Sequence, residues 1–171
     1  MFDINAYRDE CKSRIQTALP ELAHVLDYDE SHDLKGDNAF PAAFVNIVDI
    51  HPGIDPGDGR VGLLLRTVIH IITKRPEGGS RAVARKQVEA LAVAAIPALF
   101  GERFAGLESP LVFVGGYGDL GDDKHKSRAE WGLEFTARIS AGQELWTDLP
   151  DLEPPEHIFS DFGTGAEEAT Q

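Results

Sequence analysis

The stretch Val61 to Lys74 constrains this chain more than any other. Its odd positions (Val61, Leu63, Leu65, Thr67, Ile69, Ile71) are almost all apolar, whereas the even positions interleave Leu64, Val68 and Ile72 with Arg66, His70 and Lys74. A period of two sorts side chains onto the two faces of a strand. The pattern therefore predicts a long strand with one face in a core and a second face that is only half covered, by another subunit on this reading. Ala129 to Ser140 repeats the signal: Ala129, Trp131, Leu133, Phe135, Ala137 and Ile139 alternate with Glu130, Glu134, Arg138 and Ser140. If this strand lies beside the first, its charges are partly complementary to Arg66, His70 and Lys74.

Between them, Ser80 to Phe100 reads as a helix. Ala84, Val88, Leu91, Ala95 and Leu99 mark one stripe, widened by Ala92 and Ile96, with Ser80 as N-cap and Pro97 expected to kink or end the last turn. Near the start, Ile4, Tyr7, Cys11 and Ile15 recur at helical spacing, which predicts an amphipathic helix over residues 4–18, capped by Asp3 or Asn5 and stopped by Pro20. Residues 27–39 are polar and acidic and read as a loop. Phe40 to Ile50 is rich in β-formers, with Pro41 at its first position. The following Pro-Gly-rich stretch to Gly59 makes it one arm of a hairpin with a long tip. Leu111 to Val114 is a short strand, and residues 115–128 an extended loop. The order α-β-β-α-β-β implies an α+β fold, an antiparallel or mixed sheet with two helices packed on one face.

Length and composition set the remaining bounds. The 171 residues suit one domain, placed at 1–146, with an appendage at 147–171. That last segment holds seven acidic residues, Pro150, Pro154 and Pro155, and no Lys or Arg; it is expected to be flexible and to order only on a partner. Trp146, Ile158, Phe159 and Phe162 are its candidate docking anchors. A net charge of −13 opposes binding driven by phosphate contacts. No apolar run has membrane-spanning length and the N-terminus lacks signal-peptide features, so cytoplasmic synthesis is expected. One cysteine, Cys11, excludes an intramolecular disulfide, and its place on a helical apolar stripe makes it a small core residue.

No catalytic constellation stands out. Gly116-Tyr117-Gly118-Asp119-Leu120-Gly121 has the spacing of a dinucleotide loop, but no helix follows it and its aspartates repel phosphate, so a hairpin loop is the better reading. Asp55-Pro56-Gly57-Asp58-Gly59 lacks the alternating ligands of a calcium loop and reads as a turn. The six histidines form no metal-ligand pair. No cofactor or metal is expected, and no enzymatic activity. What does stand out is a basic cluster, Lys74, Arg75, Arg81, Arg85 and Lys86, in an acidic chain. It is either a solvated helix start or a contact for an acidic neighbour. Lys74, Arg75, Arg81 and Arg85, together with Arg66 and His70, make up the candidate assembly interface.

These features resemble the tail terminator proteins of tailed bacteriophages, in particular the Mu-type branch. The resemblance rests on Phe-Pro-Ala-Ala-Phe-Val at 40–45, Gly-Arg-Val-Gly-Leu at 59–63 and Ser-Arg-Ala-Val-Ala-Arg at 80–85. It continues through Glu-Trp-Gly-Leu-Glu-Phe-Thr-Ala-Arg-Ile at 130–139 to Trp146. It covers about residues 1–146; the acidic tail and the 115–128 loop depart from it. It implies an α+β subunit of a homohexameric ring that stops tail-tube growth and then meets the head completion or connector protein. DNA would pass through the lumen without specific binding, and the protein would reside in the virion, at the tail–neck junction. The alternatives are another neck or tail completion protein, or a small α+β metabolic or regulatory enzyme.

Overall fold

The computed structural model describes residues 2–28, 39–75, 79–118 and 128–143. Its elements are α1 (Ile4–Ala18), β1 (His24–Asp27), β2 (Ala42–Pro52), β3 (Val61–Lys74), α2 (Arg81–Leu99), β4 (Val112–Gly118) and β5 (Arg128–Ala141). The fold is α+β. One mixed sheet runs in the order β1-β2-β3-β5-β4, with β1 parallel to β2 and all other pairs antiparallel.

The long alternating strand lies at the centre of this sheet, as its two-faced pattern requires. Along the whole of β3 its partner is β5, from Val61 opposite Ala141 to Lys74 opposite Arg128. Odd residues of both strands face the helices. Leu65, Ile69, Ile71, Leu133, Phe135 and Ile139 are buried there with Tyr7, Cys11 and Ile15 of α1 and Val88, Leu91 and Leu99 of α2. Trp131 is only half-buried at the margin of this core. Two buried hydroxyls on this face are satisfied internally: Tyr7 Oη and Thr67 Oγ1 lie 2.9 Å apart, and Thr73 Oγ1 donates to the Ala84 carbonyl at 2.9 Å. The second bond ties the end of β3 to the first turn of α2.

Several expectations need correction. β1 is an additional strand: its four residues are too short to show a period, and it exists because β2 offers a parallel edge to residues 24–27. Asp3 is the N-cap of α1, accepting from the Asn5 and Ala6 amides, but Ser80 precedes α2 without a side-chain cap bond. Pro97 lies in the last turn of α2, which ends two residues on at Leu99. Its ring sits on the exposed side of the last turn, so it costs one backbone bond without displacing a neighbour. The predicted 115–128 loop begins later than expected, because Gly115 to Gly118 belong to β4.

Those glycines have a packing reason. A Cβ on Gly116 would stand 2.9 Å from the Trp131 Nε1, and one on Gly118 would overlap the same indole. Gly118 lies opposite Trp131 in the β4–β5 register, so the tryptophan lies across a strip of bare backbone. On the other sheet face Tyr117 covers Gly132 in the same way: a Cβ there would come within 2.6 Å of its ring. The first two glycines of the dinucleotide-like spacing are therefore strand residues making room for an indole, and Gly121 lies outside the described residues.

Candidate assembly surfaces

The predicted interface residues divide between two sides of the molecule. Arg66 and His70 occupy even positions of β3, on the sheet face away from the helices. Arg66 meets the Glu134 carboxylate side-on, Nε to Oε1 at 2.7 Å and Nη2 to Oε2 at 3.0 Å, and also reaches Asp49 Oδ2 at 3.3 Å. The Glu134 carboxylate, then Asp49, holds the guanidinium pKa above its ordinary value. His51 Nε2 stands 3.1 Å from the other Asp49 oxygen, extending the row of charges.

His70 is buried, against the expectation of an interface residue. Its Nδ1 lies 2.7 Å from Glu130 Oε1, and the Tyr28 ring packs against the imidazole with centroids 4.5 Å apart. Its Nε2 has no hydrogen-bond partner among the described residues. Beside it Phe44, Ala42 and Ile72 form a second small apolar cluster under Leu26, Tyr28 and Phe40. The chain thus covers this part of the mixed face with its own residues, where the sequence suggested another subunit.

Lys74 closes β3, also at an even position. Arg75 is exposed and its Nε donates to the Gly79 carbonyl. Arg81 and Arg85 belong to the first turns of α2, on the helix side of the sheet, and line a recess with Val88, Ala129, Glu130 and Trp131. Arg85 also meets Glu89 at 2.8 Å, one helical turn on. Arg81 and Arg85 thus lie on the helix side, whereas Lys74 shares the even-numbered face of β3 with Arg66 and His70. Trp146, Ile158, Phe159 and Phe162 lie outside the described residues, as does the proposed boundary at 146.

Three further features bear on chemistry. Burial pushes the Cys11 thiol up to about 12 and raises the Tyr7 phenol as well, so neither is poised as a nucleophile. In the turn after β2, Asp55 accepts from the Gly57 amide, while Asp58 accepts from the Arg60 amide and side chain, and the Arg60 hydrogen bond lowers its pKa. These carboxylates build a turn. No group of three or more metal-ligating side chains occurs among the described residues.

Sequence reasoning missed one surface. α2 buries Ala84, Val88, Leu91, Ala92, Ala95 and Leu99, yet its opposite side is also apolar toward the C-terminus, with Val93 68% and Phe100 58% exposed. The signal was present: no charged residue occurs from Ala90 to Phe100. A helix that is apolar all round has more than one face to cover.

No family model and no curated protein matches this chain. Among solved structures, the fold is similar to that of a chain in the "Virion of native gene transfer agent (GTA) particle", with a TM-score of 0.58 and 18% identity over 80% of this chain and 96% of that chain. At this identity the two chains share a fold.

Proposed function

We propose that the chain is a structural protein of a phage-type particle and acts as a tail terminator, closing into a homohexameric ring that caps the tail tube and presents its other face to the head connector. The observation that carries this reading is the shared fold with a chain of a virion, 96% of which is covered. The residues that resemble the Mu-type terminators lie where Phe40 to Val45 enter β2, at the start of β3, at the start of α2, and in β5. The reading needs no catalytic step. The net charge of −13 suits a lumen through which DNA slides without adhering. Arg81, Arg85 and their neighbours supply a basic contact, and the acidic segment 147–171, with Ile158, Phe159 and Phe162, contributes a docking segment for the tube or the connector.

The test is assembly with the tube protein. Size-exclusion chromatography with light scattering and negative-stain images should show a closed ring, alone or at tube ends, and tubes of limited length in its presence. A protein that stays monomeric beside its tube protein, with tube growth unrestrained, overturns the reading.

A further inference from the structure

The ring reading requires that each subunit carry two different surfaces that fit each other, because head-to-tail contacts close a ring and a self-complementary patch makes only a pair. Among the exposed apolar surfaces of the described residues, two lie on different parts of the molecule and suit this need. One is the ridge on the outer side of α2. Val93, Pro97 and Phe100 follow one another at helical spacing, with Ala90 beside them and Lys86 one turn toward the N-terminus, and all five are exposed. In a chain this acidic, an apolar helix face left open marks a contact.

The other is the closed end of the β2–β3 hairpin. Ile54 is 72% and Val61 62% exposed, with Val48 and Ile50 open nearby. Ile50 lies opposite the buried Leu65, and Val61 opposite Ala141, so both continue the helix-facing side of the sheet past the point that the helices cover. Ile54 is held in place. The Gly53 amide donates to the Gly62 carbonyl at 2.8 Å, and a Cβ on Gly62 would collide with the Ile54 carbonyl. An apolar residue whose backbone is held in this way needs less ordering when it binds. Next to it stands Asp55, opposite in sign to Lys86.

One chain cannot bring these surfaces together, because α2 turns its ridge away from the sheet that carries the hairpin. We infer that the hairpin end of one copy, led by Ile54, seats on the Val93–Pro97–Phe100 ridge of the next, with Asp55 toward Lys86. This contact rests on the ring reading and names the two surfaces that would make the ring.

Cysteine cross-linking of the full-length protein tests it, since native Cys11 is buried and does not compete. Oxidising an equimolar mixture of Ile54→Cys and Val93→Cys should give a disulfide-linked dimer, whereas neither variant alone should. The double variant should give a ladder up to the ring. Val93→Asp should raise the concentration for half-assembly by about tenfold or more, with an unchanged circular dichroism spectrum. Dimers from Val93→Cys alone would show a self-complementary helix contact and overturn the proposal. So would a ring, seen by light scattering, whose mixture cross-links no better than Ile54→Cys with Val114→Cys. That last outcome leaves the ring reading standing; a persistent monomer beside the tube protein removes both.

Discussion

Arg66 reaches diagonally from β3 to Glu134 of β5, two residues along from its own register partner Thr136, and meets it through two hydrogen bonds, 2.7 and 3.0 Å long, on the sheet face that no helix covers. Asp49 joins from the third strand at 3.3 Å, so one guanidinium links β2, β3 and β5. A paired fork of this kind fixes register as well as adding attraction. Arg66→Met should lower the melting temperature. The reversed pair, Arg66→Glu with Glu134→Arg, should regain part of the loss, and salt should narrow the difference. A reversed pair no more stable than Arg66→Glu alone would show that the bidentate contact does not couple the strands.

Phe135 is fully buried and packs on Phe113 of the edge strand, ring centroids 5.4 Å apart. Truncating it removes core volume and the support for β4 together. Phe135→Ala should cost about 3–5 kcal/mol in chemical denaturation. A midpoint within error of the parent would contradict the face assignment.

Gly118→Ala should disturb the sheet edge and, through Trp131, the recess that its indole shares with Arg85 and Val88 of α2. The added methyl overlaps the Trp131 indole, which must tilt toward solvent. A red shift of the tryptophan emission, read in a Trp146→Phe background, should accompany a lower stability. Gly115→Ala is the control, because a Cβ there meets nothing within 4 Å.

Cys11 makes a prediction about alkaline pH. Its thiol is pushed up from 9.0 to about 12 by burial, so the folded protein holds that proton more tightly than the unfolded chain. The resulting stability is fully present below the unfolded value and is lost as pH rises through about 12. Stability should fall across that window, and Cys11→Ala should remove part of the slope. A thiol reagent at about pH 8 should label the protein only in denaturant.

Arg81→Glu with Arg85→Glu should weaken ring formation or tube capping while the fold persists, since both residues are exposed in the first turns of α2. Light scattering and tail lengths in electron micrographs read the outcome. Unchanged assembly would return the cluster to a solvated helix start.

Where the sequence spoke plainly, a single periodic signal was long enough to exclude its rivals. β3, β5, α1 and α2 each carry more than three repeats of their own period, and their limits fall within a residue or two of those expected. β1 could not be read, because four residues give a period of two no room. The extension of β4 was masked by Gly115 to Gly118, which resemble a loop until Trp131 is known to lie across them. The surfaces were harder still. Alternation shows that His70 shares a face with Arg66, but not that Tyr28 folds over it. The exposed ridge of α2 was visible as a run without charge, but the inward stripe beside it accounted for its apolar residues equally well.

The irregularity between Ile47 and Asp49 in β2 changes how sequences of this kind should be compared. Before it, even-numbered residues oppose the mixed face of β3; after it, Asp49 and His51 do, opposite Arg66 and Leu64. Val48 is the unmatched residue that flips the parity. A homologue lacking it would keep an acid opposite the arginine with one residue fewer in the strand. An ungapped alignment would then set its core positions against solvent positions and count a preserved pairing as a substitution. Relatives of this chain are better sought with a single-residue gap allowed at position 48.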